Sequence, residues 1–244
     1  MANRALPQGV SSAAFRRAGL LRYAAIQFLV LVAIAIAVYA GGSPWHPEAP
    51  GYGLTDNFLS DLGMTRTWSG HTNTTSSILF GIALASVGLT LIAFSWTWRE
   101  FSFDRGRARF AGAASAVLGT ASGIAFTGIA CTPFDRLLFW HNAFVLGGFG
   151  LLLGYVIALA IAMAANGATR VQTAVNLAYV ALVVGYVALI FFGPRLDTEG
   201  GHRTQVIGQK AVALGSMLHA IAMTTLLRRG PRGPAAPALR DGDQ

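Results

Sequence analysis

Residues 56–98 read DNFLSDLGMTRTWSGHTNTTSSILFGIALASVGLTLIAFSWTW. The passage changes character near Thr72: two carboxylates, an arginine and a histidine precede it, and the residues that follow soon turn apolar. From Thr72 to Trp98 there are 27 residues, against the roughly 20 that a helix needs to cross a hydrocarbon core about 30 Å thick. Trp96 and Trp98 close the run where indole rings settle at a membrane interface. The stretch therefore predicts a transmembrane helix with a polar passage set against its start.

The same test applied outward finds five more spans, at about 19–40, 110–130, 137–165, 171–192 and 204–227. The first ends in small residues, as a signal peptide would, but signal cores are about 7 to 15 residues long and this run is longer, so it reads as an uncleaved anchor. The expected architecture is all-α, a polytopic membrane protein with a bundle of six transmembrane helices. Residues 1–18 form an N-terminal segment, 19–227 the membrane domain with a Pro- and Gly-rich outer loop at 41–70, and 228–244 a disordered tail.

Composition agrees. The chain of 244 residues is 54% hydrophobic and 11% charged, with mean hydropathy +0.53, values that exclude an ordinary soluble domain. A net charge of +8 would suit a nucleic-acid binder, but its distribution argues otherwise. Thirteen of the 18 basic residues, with four acids, fall on one side of the six-span arrangement; five basic and six acidic residues fall on the other. The faces carry +9 and −1, which predicts a cell-membrane protein with both termini cytoplasmic and needs no nucleic acid. A lone Cys131 cannot form an intramolecular disulfide.

Chemistry concentrates at the outer side. Asp61 precedes His71 in the first outer loop, and Asp135 precedes His141 at the start of the fourth span, so both histidines enter the membrane from one face. A carboxylate beside an imidazole raises its pKa and fixes its tautomer, as a general base or metal ligand requires. Asp61, His71, Asp135 and His141 are therefore the candidate catalytic residues. Ser60, Arg66, Asn142 and Arg203 are candidate ligand-binding neighbours.

In the sixth span Gln205, Gln209, Val212, Ser216 and His219 recur at spacings of four and three, a polar stripe that must face the bundle. Gln209 and His219 join the ligand-binding candidates, with Ser216 or Asn176 as the bland partner for His219. Lys210 lies off this stripe, where its stem can snorkel to water. No cofactor is required. A zinc ion would have to be held by His71, His141 and a carboxylate from separate segments, since no compact ligand motif occurs. Ser60 and Ser69 lack a nucleophile-elbow context.

The order of D-N-F-L-S-D-L-G (56–63), C-T-P-F-D (131–135), His141-Asn142 and Gln209 resembles the bacterial six-helix membrane family known as domain of unknown function 998. That family is distantly similar to the Frag/DRAM/Sfk proteins, some of which act in remodelling lipid anchors. The resemblance spans about residues 19–227 and implies Ser60, Asp61, Leu62, Gly63, His141 and Asn142 as the family positions; it supplies no reaction. Together these readings lead to an outward-facing polar pocket that binds or processes a membrane lipid or other amphiphile. The alternatives are a non-enzymatic sensor or assembly module and, behind it, a transporter.

Overall fold

The computed structural model describes residues 12–101, 106–165 and 167–229. The expected tail beyond residue 229, the start of the N-terminal segment, and residues 102–105 and 166 of the basic turns lie outside the described residues. The described chain is all-helical: α1 (Ser12–Ala37), α2 (Thr74–Phe101), α3 (Gly106–Cys131), α4 (Leu138–Ala165), α5 (Arg170–Phe192) and α6 (Glu199–Arg229), with a short 3₁₀ helix at Leu59–Gly63. All six α-helices are long and apolar enough to cross a membrane. Large apolar side chains such as Val30, Ile34, Ile82, Leu89, Val117 and Ile161 stand exposed on the outside of the bundle. Hydrocarbon tolerates such a surface, because each helix satisfies its own backbone.

Successive helices are neighbours, and α6 closes the circle against α1. Packing is densest along α1–α2–α3–α4 and sparser where α5 and α6 complete the circle. Small residues account for the dense side. A Cβ added to Gly88 would lie 2.6 Å from the Gly123 carbonyl oxygen, and one added to Gly123 would lie 2.6 Å from that of Gly88, so α2 and α3 touch backbone to backbone. Ser122 Oγ donates to the Gly148 carbonyl at 3.0 Å and ties α3 to α4. Gly123 and Ser122 of α3 thus make close contacts, whereas Gly147 and Gly150 of α4 face open space.

Several boundaries differ from expectation: α1 begins at Ser12, inside the expected N-terminal segment, and α3 at Gly106, ahead of residue 110. The chain leaves α1 at Ala37, because Gly41 and Gly42 take left-handed φ values of 117° and 82° to fold the following loop back. At the other end α6 begins at Glu199, earlier than expected. Thr198 Oγ1 accepts from Gly201 N–H, a helix cap, and Glu199 stands in the first turn where the helix dipole favours an acid.

Candidate functional site

The loop between α1 and α2, residues 38–73, lies over one end of the helix circle and is called the cap here. Its centre is Asp61, 2% exposed. The Oδ2 of Asp61 accepts from Asn57 Nδ2 at 2.9 Å, Phe58 N–H at 3.1 Å and Trp68 Nε1 at 3.2 Å. Asn57 in turn donates to the Gly42 carbonyl at 2.9 Å and accepts from Gly53 N–H at 2.9 Å. Burial pushes the Asp61 carboxyl up to about 6, against the opposing pull of the bonds from Asn57 and Trp68 and of nearby His202. Oδ1 receives no donor among the described residues, so it can carry the proton while Oδ2 keeps its three bonds.

The hydroxyl residues that lead into α2 serve the same structure. Ser76 Oγ donates to the Leu62 carbonyl at 3.2 Å and Ser77 Oγ to that of Gly63 at 3.0 Å. Asn73 Nδ2 reaches the carbonyls of Leu62 and Met64 at 3.0 and 2.9 Å. A 3₁₀ helix ends in carbonyls without intrahelical partners, and the start of α2 supplies donors for them.

The cap is pinned to α6 by contacts across about 150 residues of sequence. Leu59 N–H donates to Gln209 Oε1 at 2.6 Å, His202 Nε2 donates to the Asp56 carbonyl at 2.8 Å, and Arg203 Nε meets Asp56 Oδ1 at 2.7 Å. Lys210 Nζ donates to the Asn57 carbonyl and lies 5.1 Å from the centre of the Tyr52 ring. Lys210 therefore folds under the cap instead of snorkelling to water. The Arg203 bond holds the Asp56 carboxyl below its ordinary value although burial acts the other way. A second clamp joins the cap to the α3–α4 loop: Asp135 accepts from Thr65 N–H at 2.9 Å, from Thr65 Oγ1 at 2.5 Å and from Arg66 N–H at 3.3 Å. These bonds hold Asp135 below the usual carboxylate range against the effect of burial.

The four expected catalytic residues do not share one pocket. Arg66 pairs with Thr72 in a β-bridge, and Thr67 N–H donates to the His71 carbonyl at 2.9 Å, so His71 stands on the returning leg of a tight hairpin that turns at 68–70. There it is exposed, and its ring makes no hydrogen bond among the described residues. The expected Asp61–His71 pair is replaced by Asp61–Trp68. His141 is 4% exposed, and its Nδ1 donates to the Thr132 carbonyl at 2.7 Å. In the neutral ring that leaves Nε2 as the acceptor. His141 meets Asp61 only through rings: Trp68 lies 6.2 Å from Phe134, and Phe134 lies 5.7 Å from His141, centre to centre.

The remaining candidates divide. Arg66 Nη1 closes its own hairpin on the Gly70 carbonyl at 3.1 Å, Arg203 bridges Asp56 and Glu199, and Asn142 faces outward, exposed, so it does not approach the cap's interior. Ser60, Gln209, His141 and His219 instead line one internal cavity of about 140 Å³. Most of its wall is apolar: Phe28, Phe80, Phe94, Phe126, Phe149 and Leu152 contribute to it. Along α6 it runs from Gln209 to Met223, about 21 Å at helical rise. The polar stripe of α6 faces inward as expected. Gln205 Nε2 donates to the Leu189 carbonyl at 2.8 Å, Ser216 Oγ accepts from Tyr179 Oη at 2.9 Å, and His219 Nε2 meets Asn176 Oδ1 at 3.1 Å.

The zinc arrangement of His71, His141 and a carboxylate is not assembled, since one ring is exposed and the other buried. Among the described residues His46, Asp56 and Glu199 bring ligand atoms within 4.8 Å of one another. Arg203 already supplies a positive charge to both acids, so the group is an ion-pair cluster.

Sequence reading missed Asn57, Trp68 and His202. A tryptophan inside a polar loop is one signal, because a buried indole N–H needs an acceptor. Extending the α6 stripe one step back at the same spacing would have found His202. No family model matches this chain, and neither a curated protein nor a solved structure matches it.

Proposed function

We propose that this membrane protein binds a lipid or other amphiphile, taking one chain into the interhelical cavity beneath the cap. The observation that carries this reading is the cavity itself: an elongated, mainly aromatic and aliphatic lumen with polar groups from Ser60, His141 and Gln209 near the cap. Its volume is close to the roughly 150 Å³ of an apolar protein cavity that stays dry and takes up benzene. That suits one slender chain segment or one ring, not the body of a two-chain lipid. The resemblance to the domain of unknown function 998 family and the lipid-remodelling relatives belongs to this proposal, as does a cell-membrane orientation with the basic end cytoplasmic, which the charge asymmetry supports.

Binding is favoured over turnover by the way the acids are used. Asp61 and Asp135 hold the cap together, and among the described residues neither is hydrogen-bonded to a histidine, while His141 keeps the geometry of a base. Ala213 lines the cavity, and Ala213→Phe would fill part of it. The purified protein is expected to retain a single-chain amphiphile through detergent exchange, detected by mass spectrometry of the extract, and the variant to lose most of it with its fold intact. Equal retention by a folded variant would remove the cavity from the proposal.

A further inference from the structure

Directly under the cap the lumen carries three polar groups whose bonds are not all made. Gln209 Oε1 accepts from Leu59 N–H, which fixes the amide and leaves Nε2 to donate. From α4, His141 Nδ1 donates to the Thr132 carbonyl, which leaves Nε2 an acceptor in the neutral ring. Ser60 follows Leu59 in the 3₁₀ helix, and its Oγ makes no hydrogen bond among the described residues. Among those residues, the partnerless side-chain atoms sealed off from any space that water could enter are Thr120 Oγ1 and Asn176 Nδ2. The free atoms of Gln209, His141 and Ser60 are therefore not sealed, and all three residues line the lumen. His141 is buried, so the space that its free nitrogen reaches is the lumen it lines.

Building on the proposed cavity binding, we infer that this upper end of the lumen is a subsite for an uncharged hydroxyl carried on an apolar body no larger than about one ring, a phenol or a short alkanol. The wall asks for both halves of a hydrogen bond: Gln209 Nε2 can only donate and His141 Nε2 can only accept, while Ser60 Oγ does either. A hydroxyl is the smallest group that answers both, because its oxygen accepts while its hydrogen donates. A carbonyl or an ether would leave His141 without a donor. An ionised carboxylate, phosphate or ammonium would add a buried charge, and no Asp, Glu, Lys or Arg lines the cavity to balance it. Size sets the other limit. The cavity of about 140 Å³ is close to the roughly 150 Å³ that takes up benzene, so a hydroxyl fits together with its whole apolar body only when that body is a single ring or a chain of similar volume. Phe28, Phe80, Phe94, Phe126 and Phe149 in the wall suit the face or the edge of such a ring.

Phenol and toluene, which differ by a hydroxyl in place of a methyl, serve as probes for the full chain in lipid nanodiscs, with empty nanodiscs as the reference. Wild type is expected to bind both above that reference. In nitrogen NMR of protein carrying isotope-labelled histidine, phenol should move the unprotonated Nε2 resonance of His141 upfield, as an imidazole nitrogen moves when it accepts a hydrogen bond, and toluene should leave it in place. His141→Asn keeps a side-chain N–H for the Thr132 carbonyl and withdraws the acceptor. The ratio of phenol to toluene affinity should then fall about tenfold, the loss of one buried hydrogen bond, and a general change in the volume of the site drops out of that ratio. Should the variant not fold, the wild-type spectrum decides alone. Phenol bound without toluene, with the expected shift, would equally support the subsite. Binding of either probe without a phenol-induced shift, or an unchanged ratio in the folded variant, would overturn the hydroxyl subsite and leave cavity binding standing. Failure of both probes to bind wild type would overturn the cavity reading and this inference with it.

Discussion

The cap and the top of the lumen beneath it treat polar groups in opposite ways. In the cap, Asn57 and the Oδ2 of Asp61 make several hydrogen bonds each, and Ser76, Ser77 and Asn73 meet the carbonyls that the 3₁₀ helix leaves open. At the top of the lumen Gln209 and His141 each keep an atom without a partner among the described residues. This density of shared bonds in the cap makes a rigid lid, because moving any member exposes several bonds at once. Incomplete satisfaction leaves a group free to bind something else. The two carboxylates that look most like catalysts by type therefore do structural work, and the groups with spare capacity line an otherwise apolar lumen.

The contrast can be broken most directly at Asp61. In Asp61→Ala both Phe58 N–H and Trp68 Nε1 lose their acceptor, while Asn57 Nδ2 keeps Gly42. The expected loss is about 2 to 6 kcal/mol, from about 1 to 3 for each orphaned donor, read from unfolding in mixed micelles near pH 4.5, where the wild-type carboxyl is largely protonated. A loss below about 1 kcal/mol would mean that the cap does not depend on this centre.

A somewhat smaller effect follows from pH. The folded-state value of Asp61, about 6, lies above its ordinary 3.8, so between these limits the folded protein holds a proton that the unfolded chain has released. Stability should therefore fall as pH rises from about 4 to about 6, by up to about 3 kcal/mol, and this contribution should be level above that. Asp61→Asn keeps an acceptor oxygen without the charge and should lack this slope. A variant with the wild-type slope would assign the titration to another group.

The smallest effect is expected at His71. It is exposed on the returning leg of a hairpin and forms no ion pair among the described residues, so His71→Ala should change stability by less than about 0.5 kcal/mol and leave amphiphile retention unaltered. A marked loss of retention would return His71 to the site.

How much of this was legible depended on whether a residue belonged to a periodic element. The stripe of Gln205, Gln209, Ser216 and His219 could be read because helical spacing repeats, and each finds a partner inside the bundle or, for Gln209, in the cap. The start of α6 was harder. Gly200-Gly201 reads as a breaker, yet a Cβ at Gly201 would lie 2.0 Å from the Arg195 carbonyl oxygen, so glycine there permits the close turn into the helix. In the cap no period operates. Proximity along the chain suggested Asp61 with His71, but the bridge between Arg66 and Thr72 sends the histidine outward and the loop brings Trp68 in. Lys210 could equally have reached water or the cap, since its long stem permits both; only the position of the Asn57 carbonyl decides between them.

The pinning of the cap by Gln209, Lys210, His202 and Arg203 has a consequence for biosynthesis. Residues 56–59 emerge from the ribosome long before their partners near residues 202–210, and at about 5 to 20 residues per second the delay is on the order of ten seconds. During that interval Asp56, Asn57 and the backbone of Leu59 lack the groups that will hold them, so the lid can close only after the last helix has been made and inserted. The last span thus sets the order of assembly, and a nascent chain arrested before α6 would present an open lumen to the surrounding bilayer.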